Sequence, residues 1–188
     1  RLSLPLPQSA IRMALPWPGR DHPDFYAAYV LNTVLGGGVL NSHLGDVLRR
    51  QEGLVYDVGT QLSLRDAANL MLVRAATRNA QAVDAVARMR EVLAAVQANG
   101  IGQNRCEEAK QYIVGQLPLF IDSTGGLASM LALMQHEKLG ADYLRERAEL
   151  FGNVSCEQVN RVASEWLDPA KLAIAVAGGQ AEVAPEAP

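Results

Sequence analysis

The sequence predicts an α+β fold, with a four-stranded or slightly larger, mainly antiparallel sheet and helices packed on one face of it. Three observations predict this class. Four segments show the alternating or continuous apolar pattern of strands. Most of the remaining chain carries apolar residues every three or four positions, the period of amphipathic helices. The length of 188 residues and a hydrophobic content of 49% suit one compact domain with a sizeable core.

The first half of the chain predicts the element order β-α-α-β-β. The elements are a strand over 11–15, helices over 24–35 and 41–48, and strands over 54–64 and 70–77. The first helix is apolar on almost every face, so we expect it to be packed on both sides. Asn41 or Ser42 can cap the second helix, and Gly53 is well placed to end it in a left-handed turn. The short connection between the last two strands predicts a hairpin.

The second half of the chain is predicted to be mostly helical. Its elements are helices over 83–96, 109–120, 127–138, 144–151 and 155–166, and a closing strand over 172–177. We expect a kink or a break near Pro118, because proline removes a helical hydrogen bond. Ser155 and Gln158 form a capping box at the start of the last helix.

The predicted domain spans residues 9–178, between a proline-broken linker over 1–8 and a disordered tail over 179–188. Because the chain begins at Arg1 and shows no signal-peptide pattern, we expect it to be a piece of a longer protein. The formal net charge of −3 disfavours a nucleic-acid-binding function. No apolar run approaches the length of a membrane span.

The residue pattern predicts no metal bound by this chain alone. None of the three histidines, His22, His43 and His136, pairs with another His or Cys at ligand spacing, and neither H-x-x-E-H nor H-E-x-x-H occurs. Cys106 and Cys156 are too few for a disulfide framework. Each is interpreted as a small core residue on a helix, with a Cys–His nucleophile pair as the alternative. No G-x-S-x-G elbow occurs.

A run of three glycines, Gly36–Gly38, follows the first predicted helix. A glycine loop before a helix can bind phosphate at the helix N-terminus. The continuation G-x-x-x-x-G-K-[ST] is missing, however. A close-packed turn between two helices is therefore the favoured interpretation.

The segment from Leu48 to Tyr56 carries the sharpest chemical pattern. Arg49 falls in the last turn of a predicted helix, Gly53 reverses the chain, and Tyr56 begins the long strand. Such a reversal can bring the guanidinium and the phenol to one end of the sheet. Arg offers donors to peptide carbonyls, and Tyr offers a hydroxyl to a developing oxyanion. The structural alternative is an Arg stabilised by the helix dipole and a half-buried strand Tyr.

The glycine turn and the Arg–Tyr segment together resemble the inactive C-terminal half of pitrilysin/insulinase-type zinc peptidases. The matching residues are Leu35-Gly36-Gly37-Gly38, Ser42-His43-Leu44, Leu48-Arg49 and Gly53-Leu54-Val55-Tyr56, with weaker matches at 107–110 and 115–118. The resemblance covers about residues 9–178, and the element order agrees with the family's fold. One departure is His43, where the family often has Arg after the Ser.

In that family one domain carries H-x-x-E-H and the zinc, and a homologous domain without a metal faces it around an unfolded peptide. The resemblance therefore implies that Arg49 holds substrate carbonyls and that Tyr56 helps to polarise the scissile carbonyl. It implies no metal on this chain and zinc on the partner. The partner is an H-x-x-E-H domain on the same polypeptide or on another subunit, which would make a heterodimer. Peptide hydrolysis is expected only from the pair.

Two other functions stay open at this point. The chain could be an assembly scaffold of the same fold without a proteolytic role, as happens in respiratory-complex core subunits. It could also be an unrelated α+β binding module with a coincidental resemblance. Two cysteines without a framework fit either a cytoplasmic or a periplasmic protein. Exported bacterial relatives of this kind favour the periplasm.

Overall fold

The computed structural model describes residues 2–3, 6–38 and 41–179. Five strands form one sheet: β1 Leu2–Ser3, β2 Ser9–Pro16, β3 Asp57–Leu64, β4 Asn69–Thr77 and β5 Ala173–Gly178. Their order across the sheet is β1-β5-β2-β4-β3. The four longer strands pair antiparallel, and the two-residue β1 pairs parallel with β5. The predicted α+β fold with a mainly antiparallel sheet is confirmed.

The helices follow in chain order. They are α1 Phe25–Leu35, a π-helix Gly45–Gln51, α2 Ala82–Asn99, α3 Gln103–Gly115, α4 Leu117–Phe120, α5 Thr124–His136, α6 Tyr143–Gly152 and α7 Cys156–Trp166. The capping box predicted at the start of α7 is present. The main core lies between the sheet and the helices, and alternate residues of β2 and β4, such as Ile11 and Val73, are fully buried in it. Their neighbours Arg12 and Arg74 point the other way and are exposed.

Helix α1 is the central helix of the core. Nine of its eleven residues, 25–35, are buried, as its uniformly apolar sequence predicts. It packs against α3 and α7 on the helical side and against β3 on the sheet side. Phe151 of α6 contacts its aromatic side chains, with ring centroids 5.1 Å from Tyr26 and 5.2 Å from Tyr29.

Two predicted boundaries and one predicted helix type differ from the structure. Strand β3 begins at Asp57 rather than at Leu54, because the Leu54 amide donates to Leu48 O and closes a turn. The break expected near Pro118 falls at Gln116, because the proline lies in the first turn of α4, where its missing N–H costs nothing. The segment 45–51 is wound as a π-helix rather than as an α-helix.

The predicted linker and tail are only partly described. Within the linker over 1–8, Leu2–Ser3 forms β1, and Asn79 Nδ2 donates to Leu6 O at 2.9 Å. Arg1 and residues 4–5 lie outside the described residues. Of the tail predicted over 179–188, all but Gly179 lies outside them as well.

The two cysteines differ from the interpretation as separate core residues. Both are buried, Cys106 on α3 and Cys156 at the start of α7, but they form a disulfide with a Cα–Cα distance of 6.0 Å. Since they are separated by 50 positions in sequence, no local pattern indicates the pairing. The disulfide links two helices of the main core, and neither cysteine is a free nucleophile.

Helices α3 to α5 bend sharply near Ser123. In the described part of the chain, no single helix has the length and apolar content to cross a membrane. The combination of Gln103–Phe120 with Thr124–His136, bent by 119°, passes the same length and composition criteria only as a pair. Several large apolar side chains in this region are exposed: Leu119, Phe120, Leu127, Leu131 and Leu133.

Candidate functional site

The segment from the π-helix to β3 holds Arg49 and Tyr56 on a closed backbone turn. The amide of Glu52 donates to Val47 O at 3.1 Å, and the amide of Leu54 donates to Leu48 O at 2.8 Å. Gly53 has φ +61°, a left-handed conformation that glycine adopts without strain. The predicted chain reversal is therefore present. It joins the backbone of Leu48, the residue before Arg49, to the backbone of Leu54 by a hydrogen bond.

The turn is also fixed to the rest of the fold. The Tyr56 amide donates to Ala76 O at 2.8 Å, and Thr77 Oγ1 donates to Leu54 O. Arg88 Nε on α2 donates to Glu52 Oε1 at 2.8 Å. Pairing with β4 and this ion pair hold the turn from two sides.

The side chains of Arg49 and Tyr56 both face solvent on this fixed backbone. Tyr56 is 55% exposed and Arg49 is exposed. Leu48 and Val55, which precede each of them, are buried in the main core. Because the preceding residues are packed in the core and the ends of the two side chains face solvent, both polar groups are available to a ligand. The half-buried strand Tyr of the structural alternative is not what the structure shows.

The π-helix also holds a buried carboxylate, Asp46, that the sequence patterns do not single out as a site residue. Asp46 on the π-helix is 5% exposed. It accepts from Arg105 Nη2 on α3 at 2.7 Å and from Arg50 on its own helix. Arg105 Nη1 also donates to Asn41 O at 3.3 Å. The four-residue spacing from Asp46 to Arg50 indicates an ion pair on one helix face. Arg105 is 59 positions from Asp46, so no local pattern indicates that contact. The cluster attaches the π-helix that carries Arg49 to α3.

His43 lies beside this cluster and has a lowered pKa. Partial burial lowers the pKa of the ring most, and the positive charge of Arg105 lowers it further. The carboxylate of Asp46 acts in the opposite direction. The ring is therefore neutral at pH 7, and the departure from Arg at this position removes a permanent positive charge from the site.

Replacing His43 with Gln should flatten the loss of stability on acidification. The folded pKa lies below 6.5, so as the pH falls through that value the unfolded state takes up a proton before the folded state does. The free energy of unfolding then decreases, and this loss stops only below the folded pKa. Urea unfolding at about pH 7.5 and about pH 5 measures the effect. His136→Gln, on the surface, is the matched control. An equal wild-type-minus-H43Q difference at both pH values would contradict the prediction.

The glycine turn Gly36–Gly38 packs against both a strand and a helix. Gly36 O accepts from the Thr60 amide of β3 at 3.0 Å, and a Cβ on Gly36 would lie 2.6 Å from that nitrogen. Tyr112 of α3 donates its hydroxyl to Gly38 O at 2.9 Å. The favoured close-packed turn is thus present, and it packs against β3 as well as against helices: a Cβ on Gly37 would lie 2.5 Å from Asn32 Nδ2 of α1. Residues 39–40, where a phosphate loop would continue, lie outside the described residues.

The histidines do not come together at a common site. His22 Nδ1 accepts from the Asp24 amide at 3.1 Å, and His136 Nδ1 lies 3.1 Å from Glu137 Oε1. His43 lies at the start of the π-helix segment. Among the described residues, the group of three potential ligands within reach of one another is Cys106, Glu107 and Cys156. The residues present therefore do not fit the H-x-x-E-H type of zinc site.

A cavity of about 470 Å³ lies near the tip of the β3–β4 hairpin. Its charged lining residues carry both signs: Arg20, Arg65 and Lys138 are positive, and Asp21, Asp66 and Glu137 are negative. Neither Arg49 nor Tyr56 lines it. Nearly balanced charge does not select an anionic or a cationic ligand, so the cavity does not change the candidate site.

Comparison with known proteins gives one consistent result. The family model described as the peptidase M16 inactive domain matches residues 2–113. An uncharacterized zinc protease of Mycobacterium leprae is 29% identical over 161 residues, which are 86% of this chain and 36% of that protein. The chain therefore spans about a third of the length of the curated relatives it matches.

Solved structures give the same fold. The peptidase M16 inactive domain from Pseudomonas fluorescens superposes with a TM-score of 0.85 at 24% identity, covering 98% of this chain and 44% of that one. A chain of complex III2 from Candida albicans superposes with a TM-score of 0.79 at 16% identity, covering 95% of this chain and 45% of that one. At these identities the likeness concerns the fold.

Proposed function

The chain belongs to the family of peptidase M16 inactive domains, and from this we propose that it is the non-catalytic, peptide-binding half of a zinc peptidase. The family assignment confirms the resemblance noted in the sequence. The partner would be a homologous domain or subunit with an H-x-x-E-H motif. That partner would hold the zinc, because the residues of this chain do not fit such a site.

The exposed Arg49 and Tyr56 on their fixed turn carry this proposal. A long, flexible peptide loses less entropy on binding when the donors that meet it are already in place. The Arg49 guanidinium can donate to two peptide carbonyls at once. The Tyr56 hydroxyl can donate to the scissile carbonyl oxygen as negative charge develops on it. Both groups act on the substrate backbone, so side-chain selectivity would be loose.

The edge strand β3 limits how a peptide could bind. An extended peptide can add to a free sheet edge through main-chain hydrogen bonds. The Thr60 amide of β3 already donates to Gly36 O. A peptide running along this edge would meet the glycine turn in the middle of the strand. We therefore assign most of the peptide contact to Arg49 and Tyr56 rather than to strand addition.

The test is hydrolysis of an unfolded fluorogenic peptide by the chain alone, by the H-x-x-E-H domain alone, and by the two together. The expected result is turnover only when both are present and zinc is supplied. The H-x-x-E-H domain is sought in the full polypeptide or in a neighbouring gene product. Turnover by this chain alone, or undiminished turnover by the partner alone, would contradict the proposal.

A scaffold role is the second candidate, and the complex III2 likeness favours it. A scaffold needs neither an exposed guanidinium nor an exposed phenol at this turn. The two functions separate in one measurement: an assembly that forms stably but hydrolyses no peptide supports the scaffold. The exposed polar pair is the observation that favours peptide binding.

We propose the bacterial periplasm, an oxidising compartment, as the location of the protein, with the cytoplasm as the alternative. The disulfide between Cys106 and Cys156 supports it, because disulfides persist in oxidising compartments and are rare in the cytosol. Fractionation followed by alkylation of free thiols distinguishes the two.

A further inference from the structure

Cys106, Glu107 and Cys156 form a cluster between α3 and α7. Their sulfur and carboxylate atoms all lie within 4.8 Å of one another. Cys156 Sγ lies 3.5 Å from Glu107 Oε1. The two cysteines are 0% and 4% exposed, and Glu107 is partly exposed. Two soft ligands and one carboxylate are a donor set that zinc accepts in proteins.

We propose that these three residues bind a zinc ion when the disulfide is reduced, so that a metal replaces the covalent link between the two helices. A dithiol reductant gives two electrons and two protons to the S–S bond, and its own two thiols become a disulfide. The Cys106 and Cys156 thiols then release one proton each to solvent as the metal binds. Two thiolates and one Glu107 oxygen fill three positions, and water fills the fourth. The site is separate from the zinc assigned to the partner.

The distances suit this exchange. With Zn–S near 2.3 Å and Zn–O near 2.1 Å, tetrahedral geometry separates a sulfur from an oxygen ligand by about 3.6 Å. The separation of Cys156 Sγ from Glu107 Oε1 is 3.5 Å. The two sulfurs would have to separate to about 3.8 Å. Side-chain rotation supplies that change across a Cα–Cα distance of 6.0 Å.

The charges of the cluster balance once the metal is bound. Two thiolates and a carboxylate carry three negative charges, which buried surroundings disfavour without compensation. The metal contributes two positive charges, and Lys110 Nζ, 3.3 Å from the Glu107 carboxylate, contributes the third. Gln103 Nε2 donates to the same carboxylate at 3.2 Å. These two neighbours would orient the carboxylate toward the sulfurs, as outer partners do at zinc sites.

Zinc titration of the whole chain, reduced with a phosphine and followed by a competing metal-sensitive dye, tests the proposal. The expected result is one equivalent bound by the reduced chain and none by the oxidised chain. Cobalt in place of zinc should give the near-ultraviolet absorption of a thiolate–metal bond. Glu107→Gln should weaken binding by at least about 10- to 100-fold, the cost of replacing an outer partner of a ligand, because Glu107 is itself assigned as a ligand. Glu108→Gln, the exposed neighbouring acid, should leave it unchanged.

Three results would each overturn the proposal. They are no zinc binding by the reduced chain, equal zinc binding by the oxidised and the reduced chain, and equal zinc affinity in E107Q and the wild type. If reduction unfolds the metal-free chain, circular dichroism replaces the titration as the measurement. Helix content restored by zinc then supports the site, and helix content left unrestored overturns it. These results do not depend on peptide hydrolysis, so they stand apart from the proposed function.

Discussion

Replacing Tyr56 with Phe should lower kcat of the assembled peptidase by about 100- to 1000-fold, with little change in KM. The reason is that the hydroxyl is assigned a hydrogen bond that strengthens as the scissile oxygen becomes negative, and loss of one such donor has this size of effect. Because Tyr56 is 55% exposed, losing its hydroxyl should leave the melting temperature unchanged. Steady-state kinetics with the partner present measure both parameters.

The matched control for Y56F is Tyr26→Phe, which removes a hydroxyl from α1 in the helical layer. It should leave kcat unchanged. A Y56F enzyme with wild-type kcat would remove the transition-state role of the phenol. Arg49→Ala, assigned to substrate carbonyls, should instead raise KM, with a smaller effect on kcat. The split between KM and kcat therefore distinguishes the two roles.

Removing the disulfide with Cys106→Ala and Cys156→Ala together should lower the free energy of unfolding by about 4 kcal/mol. The cross-link closes a loop of 50 positions. Closing a loop of that length lowers the conformational entropy of the unfolded chain by an amount that corresponds to about 4 kcal/mol. Both cysteines are buried, so the alanine pair also loses some packing. Urea unfolding under metal-free conditions measures the difference.

Reduction of the wild-type chain without metal is the control for this prediction. It should give nearly the same loss, because it breaks the same cross-link without changing a side chain. A loss below about 1 kcal/mol in both samples would show that the unfolded chain gains little freedom, contrary to the loop-closure account. A loss in the double variant alone would assign the effect to packing.

Local sequence patterns predicted most of the fold. The alternation of apolar and other residues predicted β2. It arises because Ile11 and Met13 face a core that covers only one side of the sheet. The apolar run of α1 and the capping box at Ser155 are local features, and both occur as predicted. Gly53 takes its left-handed conformation for the same local reason.

Features that depend on distant residues could not be predicted in this way. The disulfide joins cysteines 50 positions apart, and Asp46 meets Arg105 across 59 positions. Neither contact changes hydrophobic periodicity or local propensity. The π-helix over Gly45–Gln51 is likewise not indicated by helical periodicity or local propensity, which do not distinguish an α-helix from a π-helix. Arg49 and Tyr56 were identified by pattern and resemblance, and their role stays a prediction.

The hydrogen bond from Thr60 to Gly36 also bears on self-association. A sheet ending in an open strand offers its free amides and carbonyls to other copies and invites aggregation. Here the outer side of β3 is interrupted at its centre by Gly36, and the opposite end of the sheet is the two-residue β1. The β3 border therefore leaves no long, uninterrupted ladder for a neighbouring molecule to extend, whereas β1 covers only the end of β5. The domain, which we propose meets extended polypeptides, is in this way protected at its β3 edge from polymerising with itself.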